Sequence, residues 1–95
     1  MLTWVIYDIS DDNLRSHTAD ICKKYGLYRV QKSCFLGEID NNQRDSITLE
    51  FKEYVQEDDS IYVFPTCDAC AESIKLLGEG FDMDLVRDQI GIMFL

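Results

Sequence analysis

Hydrophobic and polar positions along the chain fall into short blocks of two periods. Leu2, Trp4 and Ile6 interleave with Val5 and Tyr7, so the segment Leu2 to Tyr7 is apolar on both alternating faces. That is the pattern of a strand covered on both sides, which belongs in the centre of its sheet. Past Asp8, Ser10-Asp11-Asp12 offers N-cap chemistry for a helix whose Leu14, Thr18, Ile21, Cys22 and Tyr25 recur at helical spacing. Gly26 stands where a C-cap glycine belongs. Leu27 to Ile39 has β-type composition and reads either as one long bent strand or as two short ones broken near Lys32-Ser33. Asp40-Asn41-Asn42 opens a second helix with Ile47, Phe51, Tyr54 and Val55 on one face, although Ile47 to Phe51 also alternates like a strand; length and the cap favour helix. Ser60 to Phe64 reads as a strand stopped by Pro65, Glu72 to Leu77 as a weaker strand running into Gly78-Glu79-Gly80, and Ile90 to Leu95 as a closing strand.

This order is an α+β plan. Its simplest form is a ferredoxin-like βαββαβ-type sheet with two helices on one face and an extra C-terminal strand. The other sheet face then needs a cover, and a second copy of the chain supplies it most simply, which predicts a homodimer. With 95 residues, the expectation is a single domain over 1–95 with one core. One proline, five glycines and no repeat leave no room for a linker. No run approaches the roughly 18 apolar residues of a membrane helix, and the first residues lack the basic region of a signal peptide, so the expected location is cytoplasmic, with no membrane contact.

Charge changes the picture. The formal net charge is -9, which argues against a nucleic-acid binder as a whole. Residues 1–44, however, balance Arg15, Lys23, Lys24, Arg29, Lys32 and Arg44 against six acidic residues, and the entire deficit falls after residue 44. A polyanion would have to approach the N-terminal half. The C-terminal half reads as a solvated acidic face or as a surface for a basic protein partner.

Asp8 is the first candidate for chemistry. A carboxylate at the end of a doubly buried strand can bind a hard cation such as Mg²⁺ through oxygen, or can simply end the strand as a turn residue. In a homodimer packed through the sheet face, two copies of Asp8 would converge, and two close carboxylates need a cation or a shared proton between them. Arg15 and Arg29 are the basic residues nearest to Asp8 along the predicted elements and can hold phosphate or pair with local aspartates. Lys32 is a third phosphate contact on the same half of the chain. Asp11 and Asp12 suit caps, and Lys23 and Lys24 suit the negative end of the first helix. Cys67 and Cys70 form a Cys-x-x-Cys, which is half a zinc site, a redox pair if it opens a helix, or a pair of incidental thiols. Cys22 and Cys34 fall on core positions and read as inert thiols.

Together the segments Val5-Ile6-Tyr7-Asp8-Ile9-Ser10-Asp11-Asp12 with Arg15, Tyr25-Gly26 with Arg29-Val30-Gln31, Ser33, Phe35 and Gly37-Glu38, Asp59 to Pro65, and Leu77-Gly78 resemble the CRISPR-associated Cas-two family. The likeness runs across nearly the whole chain. It implies a small ferredoxin-like homodimer acting in CRISPR spacer acquisition, with an extra C-terminal strand that packs on the partner protomer. It also implies that Asp8 is the metal-binding aspartate shared between protomers, with Mg²⁺ or Mn²⁺ as the metal. Arg15, Arg29 and Phe35 fall where such proteins have positions linked to nuclease activity. His17 departs from the pattern, since Arg or Lys is common there. The activity implied is hydrolysis of single-stranded RNA or double-stranded DNA. Beside it stands a scaffold reading, in which the dimer bridges two dimers of the Cas-one integrase and holds incoming DNA. A third reading, a small thiol or zinc protein centred on Cys67 and Cys70, covers less of the chain.

Overall fold

The structure, a computed structural model, describes residues 1–78 and 93–94. Strand β1 (Leu2–Asp8) is followed by helix α1 (Asp12–Lys24), strands β2 (Tyr28–Gln31) and β3 (Cys34–Glu38), helix α2 (Asn41–Lys52) and strand β4 (Ser60–Thr66). A short helix α3 (Asp68–Glu72) and the two-residue strands β5 (Lys75–Leu76) and β6 (Met93–Phe94) complete the described elements. The first four strands make one antiparallel sheet in the order β2-β3-β1-β4, the ferredoxin-like arrangement, with β1 at its centre as its two apolar faces require.

Local signals set the ends of the elements. The Asp11 side chain accepts the Leu14 N–H at 2.9 Å and starts α1. Gly26, at φ +82°, takes the left-handed turn that releases the chain into β2. At α2, Asp40 accepts the Gln43 N–H at 2.8 Å while Gln43 accepts the Asp40 N–H at 2.9 Å, a reciprocal capping box.

Strand register sorts the side chains onto two faces. Val5 lies opposite Phe35 and Val63, whereas Trp4 lies opposite Leu36 and Phe64. Val5, Tyr7 and Phe35 pack with Ala19, Ile21 and Cys22 of α1 and with Ile47 and Phe51 of α2, so both long helices cover one face. Leu2, Trp4, Val30, Cys34 and Leu36 form a second cluster on the other face.

Residues 27–39, open between one bent strand and two short ones, resolve into two strands, with a bulge between Arg29 and Gln31. Three expectations are corrected. Pro65 does not stop β4, which runs to Thr66; among the described residues β4 is an edge strand, the position in a sheet where proline is tolerated. Tyr54 and Val55 lie beyond the end of α2, although Tyr54 still packs against the core. Glu72 ends helix α3 instead of starting a strand, and α3 places Ala71 in the second cluster, so the chain itself covers part of the face left for a second copy. Of the closing strand, Met93–Phe94 pairs in parallel with Lys75–Leu76, and the remainder of 90–95 lies outside the described residues.

Candidate functional site

The end of β1 carries candidate side chains on both faces of the sheet. Asp8 shares the alternation of Leu2, Trp4 and Ile6, so it stands on the face opposite the two long helices; it is exposed and pairs in register with Ser60. The Asp59 carboxylate accepts the N–H of Ser10 and that of Gln56, each at 3.3 Å, and so ties the start of β4 to the loop after Asp8. The donors at this end are oxygens, suited to a hard divalent cation. Among the described residues no three His, Cys, Asp or Glu side chains gather to hold a metal.

Tyr7, one residue earlier, faces the helices. With Arg15, Ser16, Arg29 and Lys32 it lines a cavity of about 150 Å³. Two of its cations are held in place. Arg15 donates through Nη1 to the carbonyl of Ile9 at 3.1 Å and through Nη2 to the Asp12 carboxylate. The Arg29 guanidinium lies 5.0 Å from the centre of the Phe35 ring. Burial pushes the Tyr7 hydroxyl above its usual range, with Arg29 opposing the shift. Three cations, a hydroxyl and a phenol around one opening can receive a phosphate, and the fold brings together Arg15, Arg29 and Lys32 from α1, β2 and the turn after β2.

Phe35 is fully buried beneath Arg29 and stacks on Tyr7 with ring centres 6.3 Å apart. It does not line the cavity itself but touches two residues that do, Tyr7 and Arg29. His17 lies apart, its ring 5.1 Å from that of Tyr54. Tyr7 and Ser16 complete the cavity and had no sequence signal beyond their closeness to Asp8 and Arg15. The thiols divide in two: burial pushes Cys22 and Cys34 up to about 12, while Cys67 and Cys70 are exposed.

No helix among the described residues is long and apolar enough to cross a membrane. Residues 1–74 match the family model described as CRISPR associated protein Cas2. The chain is 36% identical over 96 residues to a CRISPR-associated endoribonuclease Cas2 of Archaeoglobus fulgidus, covering the whole of both chains. Over 39 residues it is 41% identical to a CRISPR-associated endonuclease Cas1/endonuclease Cas2 fusion of Thermoproteus tenax, a stretch covering 41% of this chain and 15% of that protein. The crystal structure of Streptococcus pyogenes Cas2 shares its fold, with a TM-score of 0.68, 24% identity and coverage of 82% of this chain and 100% of that one. The central first strand, the ferredoxin-like sheet and the match over residues 1–74 agree, and the chain belongs to the CRISPR-associated Cas2 family.

Proposed function

We propose that the chain is a homodimeric, metal-dependent nuclease of CRISPR spacer acquisition, cleaving RNA phosphodiester bonds at the end of β1. The observation that carries this reading is the division of that strand end, with a carboxylate on one face and a cation-lined cavity on the other. A second copy docked on the face that bears Asp8 would bring two carboxylates together. Exposed Tyr62 and Phe64 and half-buried Ile6 extend the apolar area beside Asp8, which supports such an interface. Two Asp8 carboxylates would hold Mg²⁺ or Mn²⁺, which when bound supplies a more acidic water and neutralises charge on the phosphoryl oxygens. Arg15, Arg29 and Lys32 bind the strand's phosphates, and Phe35 acts by seating Arg29. The name of the Archaeoglobus fulgidus relative, an endoribonuclease, supports RNA as substrate.

The test is cleavage of labelled single-stranded RNA, with duplex DNA alongside. Wild type should cut in Mg²⁺ or Mn²⁺ and stop with chelator, and Asp8→Asn, an exposed substitution, should fold normally and not cut. Cleavage by Asp8→Asn with chelator present would overturn the mechanism. Binding should weaken with salt. Each phosphate contact contributes a slope of about -0.9 on duplex DNA and about -0.7 on single strands, so Arg15→Ala or Arg29→Ala should make the slope shallower by roughly one contact's share.

A scaffold reading is supported by the Thermoproteus tenax relative, in which Cas1 and Cas2 are one chain. In it the dimer bridges two dimers of the Cas1 integrase, with the acidic second half of the chain as part of the contact surface, and holds incoming DNA. Pull-down of the integrase by Asp8→Asn at wild-type yield, together with no cleavage by wild type, would favour it over the nuclease.

A further inference from the structure

Cys67 and Cys70 are separate from the strand end described above. Cys67 follows β4 in an extended conformation, at φ -71° and ψ 164°, and is the N-cap residue of α3. Its Sγ accepts the Cys70 N–H at 3.3 Å, and its carbonyl accepts the Ala71 N–H at 2.8 Å. The two thiols are therefore the cap and the third residue of one helical turn, a spacing at which side chains lie on the same side. Both are exposed to solvent, and the turn is anchored to the sheet by Ala71, which packs with Leu2, Trp4, Val30 and Leu36.

We propose that Cys67 and Cys70 form a redox-active dithiol that exchanges with low-molecular-weight disulfides, with Cys67 attacking and Cys70 resolving. The backbone N–H of Cys70, then its side chain, then the N–H of Ala69 hold the Cys67 thiol below its usual range, while Cys67 raises Cys70. This asymmetry supports the assignment of roles. In the first step the Cys67 thiolate attacks one sulfur of the small disulfide; that S–S bond breaks, a mixed disulfide forms, and one small thiolate leaves and takes a proton. In the second step Cys70 loses its proton to water and attacks Cys67 Sγ; the mixed disulfide's S–S bond breaks, the Cys67–Cys70 bond forms, and the second small thiolate leaves and takes a proton from water. Two protein thiols are oxidised and one small disulfide is reduced to two thiols. Cys22 and Cys34 stay out of the reaction because both are buried and pushed up to about 12. Zinc is the competing use of the pair, but among the described residues no third ligand joins the two sulfurs.

Oxidised glutathione added to the reduced, desalted full chain tests this by intact mass and peptide mapping. Wild type should lose two hydrogens, retain no glutathione and yield a peptide linking Cys67 to Cys70. Cys70→Ser should hold one glutathione at Cys67, and Cys67→Ser should react about tenfold more slowly or less. Three results would overturn the proposal: glutathione on both sulfurs with no internal bond, Cys67→Ser reacting as fast as wild type, or co-purified zinc that blocks the reaction until chelated.

Discussion

Phe35 and Asp8 are both in the sheet, yet their substitutions should fail for different reasons. Phe35 is fully buried between Val5, Tyr7 and the Arg29 guanidinium. Phe35→Ala should cost about 3–5 kcal/mol by removing a core ring, at roughly 4–8 °C of melting temperature per kcal/mol. Thermal melts check this. A Phe35→Ala protein as stable as wild type but unable to cut RNA would instead place the ring in contact with substrate. The buried thiols make a second residue-level case. Folding raises Cys22 and Cys34 from 9.0 to about 12, so the unfolded chain releases these protons first and stability is lost as pH rises through that window. Each thiol should contribute a fall of about 1.4 kcal/mol per pH unit above about 9. Denaturant titrations at several alkaline pH values should show Cys34→Ala flattening the fall by one such share; stability unchanged up to pH 11 would refute it.

At the scale of elements, the two long helices begin on side-chain caps that the fold uses to aim their apolar faces. Asp11 caps α1, and Asp40 with Gln43 forms the capping box of α2. Asp40→Ala should cost about 1 kcal/mol, and the same change at Asp11 a similar amount. The two sites begin different helices, so their effects should add in the double variant, measured by chemical denaturation. These starts were legible because a cap is a local interaction between residues three apart. The end of α2 was not: Tyr54 continues the apolar spacing but reaches the core from the turn beyond the helix, where its hydroxyl meets that of Thr18 at 2.5 Å. Helix α3 was likewise missed, since five residues are too few to display a helical period and its cap is a cysteine.

For the whole molecule, the face opposite the long helices is where the proposed dimer would place its second copy. Trp4 stacks on Phe64 with ring centres 6.4 Å apart, and Trp4, Ile6, Phe64, Thr66, Ile74 and Leu76 line an apolar cavity of about 240 Å³. Tyr62, 61% exposed and opposite Ile6 in register, lies on the same face. If a second copy docks there, Tyr62→Lys should leave the helical spectrum intact and shift the protein from dimer to monomer in sedimentation. Wild type that sediments as a monomer at micromolar concentration would rule out the interface and with it the paired Asp8 site. The charge division acts at this scale too, since the basic cavity draws on the balanced half of the chain and the acidic deficit lies after residue 44.

Residue order alone determined the central position of β1, the starts of both long helices, the turn at Gly26 and the candidates Asp8, Arg15, Arg29 and Lys32. Each rests on periodicity, capping or a short motif, all readable within a dozen neighbouring positions. Tertiary structure decided what those residues face. Pairing of β1 with β3 and β4 sends Tyr7 towards the helices and Asp8 away from them, gathers three cations from separate elements around one cavity, and buries Phe35 beneath one of them. Strand order also gave β4 its edge position among the described residues, which is why Pro65 could remain in it. A one-residue slip in any of these pairings would reverse every assignment, because side chains alternate along a strand and the register is set by contacts distant in sequence.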